Sequence, residues 1–318
     1  MSGDWKPTAP IATLEVRASM LRAAREYFTA TRALEVDTPT LSSGAVTDIH
    51  LASVAATTNG RRTYLHTSPE YAMKRLLAAG CGDLWQICKV YRDGESGRWH
   101  NPEFTMIEWY RLGIDHHALM SDVERLISAM LPPSRSFDRC ERLTYREAVQ
   151  LHAGIDPFDD RIAVLIARLE SSGIEAPPEL RSDRDACLDL IMATLVGPQL
   201  GHDRLTFIYD YPASQAALAQ IRGPVASRFE AYMDGLELAN GFHELGNATE
   251  QRARFERDCA ERARRGLPAM PIDDRFLAAL EHGLPECSGV ALGFDRLVMC
   301  ATGAKHIDAV IAFSFERA

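Results

Sequence analysis

The sequence predicts an α+β fold in which an antiparallel sheet is flanked by helices. Three observations carry this. Two strand-like runs, 84–92 (LWQICKVYR) and Phe104 to Arg111, are separated by a loop rich in Gly and charge (93–101), the pattern of an antiparallel hairpin. Within 228–244 (RFEAYMDGLELANGFHE) two further strand patterns meet at a Met-Asp-Gly turn. Helical periodicity is mixed in among these strands, which favours α+β.

Along the chain, 1–10 carries two Pro, one Gly and polar residues and reads as a flexible tail. A helix begins at Thr13, which can cap it, with Leu14, Arg17, Leu21, Ala24 and Phe28 in one largely apolar stripe. It stops before Glu35-Val36-Asp37-Thr38-Pro39, because a residue preceding Pro is pushed out of the α region. Residues 63–67 (TYLHT) form a strand, and Ser68-Pro69-Glu70 opens a helix with Ser at the cap and Pro at the first position. Residues 112–205 read as mostly helical, 206–211 (TFIYDY) as a strand and 249–266 as a charged helix. Residues 287–293 (CSGVALG) suit a buried strand, with a helix from Phe294 to Ala301. His116-His117 reads as a solvated helix start and 201–204 as a polar turn.

The 318 residues correspond to one large domain or two small ones, at roughly 100–200 residues per domain. Charged residues are 25% and hydrophobic ones 46%, which excludes disorder for most of the chain. Lys+Arg number 35 against 44 Asp+Glu, a net charge of −9 that disfavours a dedicated nucleic-acid binder. The seven Cys (81, 88, 140, 187, 259, 287, 300) are odd in number, scattered and without a CxxC, as expected of structural thiols in a reducing compartment. With no long apolar run and no apolar N-terminal segment, neither a membrane span nor a signal peptide is expected, and the cytoplasm follows by default.

Three clusters carry chemistry. In 91–104 (YRDGESGRWHNPEF), Arg92 at a strand end faces a loop holding Arg98, His100 and Asn101. Guanidinium groups beside aromatic rings suit a nucleotide, although a solvated charged hairpin has the same composition. Glu230, Glu237 and Glu244 recur every seven residues; on strands they either bind Mg²⁺ or an amine, or simply face solvent. Asn240-Gly241-Phe242-His243-Glu244 favours a site by putting an amide, an aromatic and an acid together. In Gly293-Phe294-Asp295-Arg296, Gly admits a ligand close to the backbone and Arg at a helix start can meet an anion.

In this order the clusters resemble the three signature motifs of class II aminoacyl-tRNA synthetases. Leu34-Glu35-Val36-Asp37-Thr38-Pro39 and its helix resemble motif 1, Arg92 to Glu108 motif 2, and Gly289 to Arg296 motif 3. His100-Asn101-Pro102-Glu103-Phe104-Thr105-Met106 and Asn240-Gly241-Phe242-His243-Glu244 resemble segments of the lysyl-tRNA synthetase subgroup. Motif 1 is complete by Pro39, leaving no room before it for an anticodon-binding OB-fold. A catalytic domain over 11–318, with 112–205 as a mostly helical insertion, is therefore expected, and the chain resembles the bacterial elongation factor P lysine lysyltransferases. Val46-Thr47-Asp48-Ile49-His50, Ser68-Pro69-Glu70-Tyr71, Phe207 with Pro212-Ala213-Ser214-Gln215-Ala216, and Cys287 to Gly293 fit that family.

The resemblance implies ATP-dependent activation of (R)-β-lysine, and less well of α-lysine, as an adenylate. The product is then transferred to the ε-amino group of a lysine of elongation factor P, with AMP and diphosphate released. Arg92 and Arg296 take the catalytic roles it implies. Arg92, Asp93, Gly94, His100, Asn101, Phe104, Glu237, Leu238, Gly293 and Arg296 line its ATP site, with Phe104 and Arg296 sandwiching adenine. Ser68, Pro69, Glu70, Glu108, Tyr110, Asn240, Phe242, Glu244 and Ala291 surround its amino acid, and Glu230 and Glu237 hold Mg²⁺. It further implies a homodimer formed through the motif 1 helix and strand, with no tRNA and no membrane as partner. One departure stands out: the family's motif 2 has Glu two residues after the Arg, where this chain has Gly94, with Glu95 one place later. A tRNA-charging core and a non-catalytic regulatory paralogue are the competing readings.

Overall fold

A computed structural model describes residues 5–158 and 161–318. The first helix, α1 (Ile11–Ala30), starts two residues before Thr13, with Pro10 at its N-cap and no side-chain cap. Thr13 therefore lies inside the first turn. Met20, Ala24 and Phe28 are the buried residues of α1, so the C-terminal part of the apolar stripe faces the protein's own core while Leu14 and Leu21 are half-buried. The described part of the N-terminal tail is pinned rather than loose: Thr8 N–H donates to Ala312 O at 2.7 Å, and Thr8 Oγ1 accepts from Ser314 N–H at 3.1 Å.

Two short strands follow, β1 (Leu34–Glu35) and β2 (Leu41–Ser42), then β3 (Ala55–Thr58) and β4 (Arg61–Leu65). Helix α2 (Glu70–Ala78) has Pro69 at the N-cap, one place later than expected, and Ser68 Oγ accepts from Glu70 N–H at 3.0 Å. The expected hairpin is β5 (Leu84–Tyr91) and β6 (Glu103–Leu112). Next come α3 (His116–Met130), β7 (Cys140–Thr144), α4 (Tyr145–Ala153), α5 (Ile162–Ser171) and α6 (Arg184–Ile191). The chain continues with β8 (Leu205–Pro212), β9 (Ile221–Arg222), β10 (Val225–Met233) and β11 (Leu236–His243). It closes with α7 (Ala248–Arg264), α8 (Asp274–Gly283), β12 (Cys287–Gly293) and α9 (Phe294–Thr302).

The large sheet has the order β1-β5-β6-β12-β11-β10-β8-β7, with β9 beside β10. Its interior is antiparallel, but β1 runs parallel to β5 and β7 parallel to β8. Both parallel pairs are joined by long helix-bearing crossovers, the connection that parallel neighbours require. The stretch 112–205 is mostly helical, as expected, but it is woven into the domain: α3 packs on the main core and β7 extends the sheet. Helices α4 to α6 form a second core around Tyr145, Leu165, Leu188 and Tyr211. His116 is buried at the start of α3 and only His117 is exposed, so this helix start is solvated on one side alone.

One face of the large sheet buries Trp85, Trp109, Phe207 and Phe229 against α1, α3 and α9. The other face floors a cleft of about 1050 Å³, whose walls come from α2, α7, the small sheet β2-β4-β3 and the loop between β5 and β6. Strand alternation decides which residues meet there. On β12, Gly289 pairs with Tyr110 and Ala291 with Glu108 of β6, while on the other side Gly289 pairs with Phe242 and Ala291 with Asn240 of β11. Those six positions share one face.

Candidate active site

The cleft has two chemically distinct ends. At the first, α2 and α8 close over the sheet and bury a cluster of carboxylates. Glu108 and Glu244 are 2% and 3% exposed. Glu108 accepts hydrogen bonds from Ser68 Oγ and from the Tyr110 hydroxyl, both at 2.7 Å. Lys74, without solvent-exposed side chain, lies 2.6 Å from Glu70 and 2.5 Å from Glu244. Burial, then the neighbouring Glu70, pushes Glu108 up to about 7, against the pull of the Ser68 and Tyr110 hydroxyls. Burial also pushes Glu244 up to about 8, with Lys74 opposing and Glu70 adding to the rise. Burial opposes the charge on Lys74, but Glu244 and Glu70 outweigh it and raise its pKa. The packing is tight: a Cβ on Gly289 would lie 2.2 Å from the Tyr110 ring and 2.5 Å from Glu244 Oε1. Only Gly leaves room for both.

At the second end Arg92, just beyond β5, puts its guanidinium 5.0 Å from the centroid of Phe104 and 3.6 Å from Glu95. Arg296, in the first turn of α9, donates to Glu237 O at 2.9 Å and to His100 Nε2 at 2.6 Å. Burial, then the Arg296 charge, lowers the His100 pKa, leaving a neutral ring that accepts from the guanidinium. Glu237 and Glu230 lie on neighbouring strands. The register slips between Ala231 and Tyr232, where β11 carries an extra residue, Leu238. That bulge turns Glu237 to the same face as Glu230 and Asn240, which is why a spacing of seven along the sequence does not put them on opposite faces. Glu230 accepts from Arg228 and from the Tyr232 hydroxyl, each at 2.5 Å. Burial, then Glu230, raises Glu237, although solvent still reaches its carboxyl.

Most of the residues singled out in the sequence come together here. Ser68, Pro69, Glu70, Arg92, His100, Asn101, Phe104, Glu230, Glu237, Leu238, Asn240, Phe242, Ala291, Gly293 and Arg296 all line the cleft. Glu108, Tyr110 and Glu244 stand just beneath its floor, in contact with Ser68 and Lys74. Asp93 and Gly94 do not reach the wall: Asp93 N–H is bound to Ala52 O at 2.8 Å, and Gly94, at φ 77°, forms a turn tip. Glu95 does line the cleft. The Asn101 amide is committed to backbone, donating to Glu103 O at 2.6 Å and accepting from Phe315 N–H at 3.0 Å.

Two further residues went unnoticed in the sequence. Arg228 lines the cleft and binds Asn240 Oδ1 at 3.2 Å, Gln215 O at 2.9 Å and Glu230. Its spacing of two from Glu230 was the available signal, since alternate strand residues share a face. Lys74, four residues after Glu70, had the pattern of an ordinary surface helix pair.

Residues 5–317 match the family model of class II tRNA synthetases (D, K and N), and the chain belongs to that family. Within it, the chain is similar over its whole length to proteins named elongation factor P–(R)-β-lysine ligase. The one from Vibrio cholerae serotype O1 is 48% identical, with 100% of this chain and 99% of the relative covered. The one from Klebsiella pneumoniae strain 342 is 49% identical at the same coverage, and that from Sodalis glossinidius 48%, again at 100% and 99%. Among the described residues, no helix is long and apolar enough to cross a membrane.

Proposed function

We propose that this chain is an ATP-dependent ligase. It activates (R)-β-lysine, and α-lysine less well, as an adenylate, and passes it to the ε-amino group of a lysine of elongation factor P. The observation that carries this reading is the joining of a buried carboxylate pocket (Glu70, Glu108, Glu244) to an arginine-lined cleft (Arg92, Arg296) across three neighbouring strands. The pocket suits ammonium groups and the cleft suits phosphates. The similar proteins named for the same modification support it.

In the first step a carboxylate oxygen of the amino acid attacks the α-phosphorus of ATP, the bond to the β-phosphate breaks and diphosphate leaves. Arg92 balances the charge that grows on the α-phosphoryl oxygens, and Phe104 with Arg296 holds the base. In the second step the acceptor amine attacks the acyl carbon, AMP leaves and the amine proton passes to solvent. Positioning and charge neutralisation suffice for both steps.

Glu230 and Glu237 would hold a Mg²⁺ ion: they are two neighbouring carboxylates, one raised by the other, and a bound cation would relieve that repulsion. Among the described residues no group of three or more His, Cys, Asp or Glu could hold a metal unaided, which suits an ion completed by phosphate oxygens. Such an ion supplies neutralisation of phosphate charge.

The proposal includes a cytoplasmic homodimer. Ala24 and Phe28 of the α1 stripe are used internally, whereas Leu14 and Leu21 stay half-buried, so the contact would use these with the outer edge of β1, where Leu34 is 52% exposed. Light scattering should give twice the chain mass at micromolar concentration; a monomer would remove the dimer from the reading.

The direct test incubates the chain with ATP, β-lysine and elongation factor P and weighs the factor by mass spectrometry. A gain of one lysyl residue is expected. An unmodified factor together with charged tRNA in a parallel assay would replace this reading with a tRNA-charging one.

A further inference from the structure

Lys74 is a lysine with 0% of its side chain exposed, yet it belongs to the helix that also supplies Glu70. Burying an ammonium is costly unless it is paired, and Lys74 is paired twice, with carboxylates from different elements. Glu70 lies one turn earlier on α2, whereas Glu244 lies just past the end of β11. Among the described residues, the third carboxylate, Glu108, is bonded only by the neutral hydroxyls of Ser68 and Tyr110. With all three carboxylates ionised, as ammonium ligands require, they and one ammonium sum to −3 + 1 = −2. A diamino acid brings two ammonium groups.

We propose that Lys74 is the positioning residue of this pocket: it ties Glu70 and Glu244 together at one separation and leaves two negative charges for the amino acid to neutralise. This rests on the reading that the pocket receives a diamino acid. Other groups near it do not alter the count. Burial pushes the Cys287 thiol up to about 12 and raises Tyr110 and Tyr71, so all three stay neutral, and the Phe276 ring lies 5.8 Å from Nζ. Asp258, Asp48 and Asp273 act on Tyr71 but are not among the charges that act on Lys74, Glu108 or Glu244. The raised Glu108 and Glu244 support the inference, since a pocket short of cations takes up protons.

The test has a binding arm and a kinetic arm. In the first, the wild-type chain is titrated calorimetrically with β-lysine (3,6-diaminohexanoate) and with 3-aminohexanoate, the same skeleton without its terminal amine. The diamino compound should bind roughly 100-fold more tightly, because the other leaves a buried carboxylate unpaired. Equal binding overturns the charge requirement. Binding of α-lysine but not of β-lysine overturns the β-lysine reading and leaves the charge requirement standing.

In the kinetic arm, Lys74→Met should raise the KM for β-lysine by roughly 100-fold, while the KM for ATP stays within about twofold. The acid limb of kcat/KM should also move up by about one pH unit, as Glu244 loses the cation that opposes its rise. A fall in kcat with an unmoved limb would make Lys74 a packing residue and overturn the proposal. Lys74→Gln, which keeps a donor and drops only the charge, carries the same test if the Met variant does not fold.

Discussion

At the amine end of the cleft the charged groups are buried and already bonded to one another; at the phosphate end Arg92 and Arg296 keep 25% and 22% of their side chains exposed. Glu108 has two hydroxyl donors and Glu244 an ion pair with Lys74, whereas Arg92 leans on a ring and a distant carboxylate; among the described residues Arg92 Nε and Glu244 Oε2 each lack a hydrogen-bond partner of good geometry. On the proposed reading, the first end selects by shape and charge count. The second keeps donors in reserve for a ligand that brings its own charge. Preorganised, dry electrostatics serve selectivity, and free donors serve the charge that develops during reaction.

This contrast can be broken at several points. Arg92→Ala and Arg296→Ala should each lower ATP–pyrophosphate exchange by roughly 10²–10³ while circular dichroism stays native, since a charge-stabilising donor is lost without a cavity in the core. Near-normal exchange in either variant would remove it from catalysis.

Gly289→Ala should strike the opposite end. The added methyl meets Tyr110 and Glu244, and overpacking typically costs about 1–3 kcal/mol. Amino-acid KM should rise by roughly 10–100-fold with ATP KM little changed; a matching rise in both would mean that the two ends are not separate.

Proton uptake gives a third test. Ammonium groups need ionised carboxylates, and Glu108 and Glu244 are raised to about 7 and about 8. As pH falls through these values, kcat/KM for the amino acid should drop by roughly tenfold per unit, with ATP KM flat. A pH-independent amino-acid KM between about 6 and 9 would contradict buried carboxylates as its ligands.

Ala291 lies between Glu108 and Asn240 on the cleft floor. Its methyl is expected to crowd an α-amine and tolerate a β-amine, so Ala291→Gly should raise α-lysine activity relative to β-lysine by about tenfold. An unchanged ratio of the two kcat/KM values would leave Ala291 as packing.

The smallest effect concerns Glu95. If it contacts the base, Glu95→Ala should raise ATP KM by a few-fold, about 1 kcal/mol, and spare kcat; wild-type behaviour would limit Glu95 to its pairing with Arg92.

Local patterning made much of this legible. The β5–β6 and β10–β11 hairpins follow from alternation and turn chemistry, with Asp234 and Gly235 at φ 52° and 75° as such a turn demands. The clusters around Arg92, around Glu237, Asn240 and Glu244, and around Arg296 were each ambiguous by residue type; their order resembles the motifs of a known family, and the family match bears out that class. What the chain alone could not show are facts of distance. The parallel edges at β1 and β7 depend on which strands meet after long crossovers. The turning of Glu237 toward Glu230 depends on one bulged residue, and the inward packing of Ala24 and Phe28 on where α1 docks. Above all, Glu70-to-Lys74 spacing has the same appearance on a solvated helix and in a buried pocket. Only the closure of α2 over Glu244 removes the water, and with it the screening that would otherwise make this pair unremarkable.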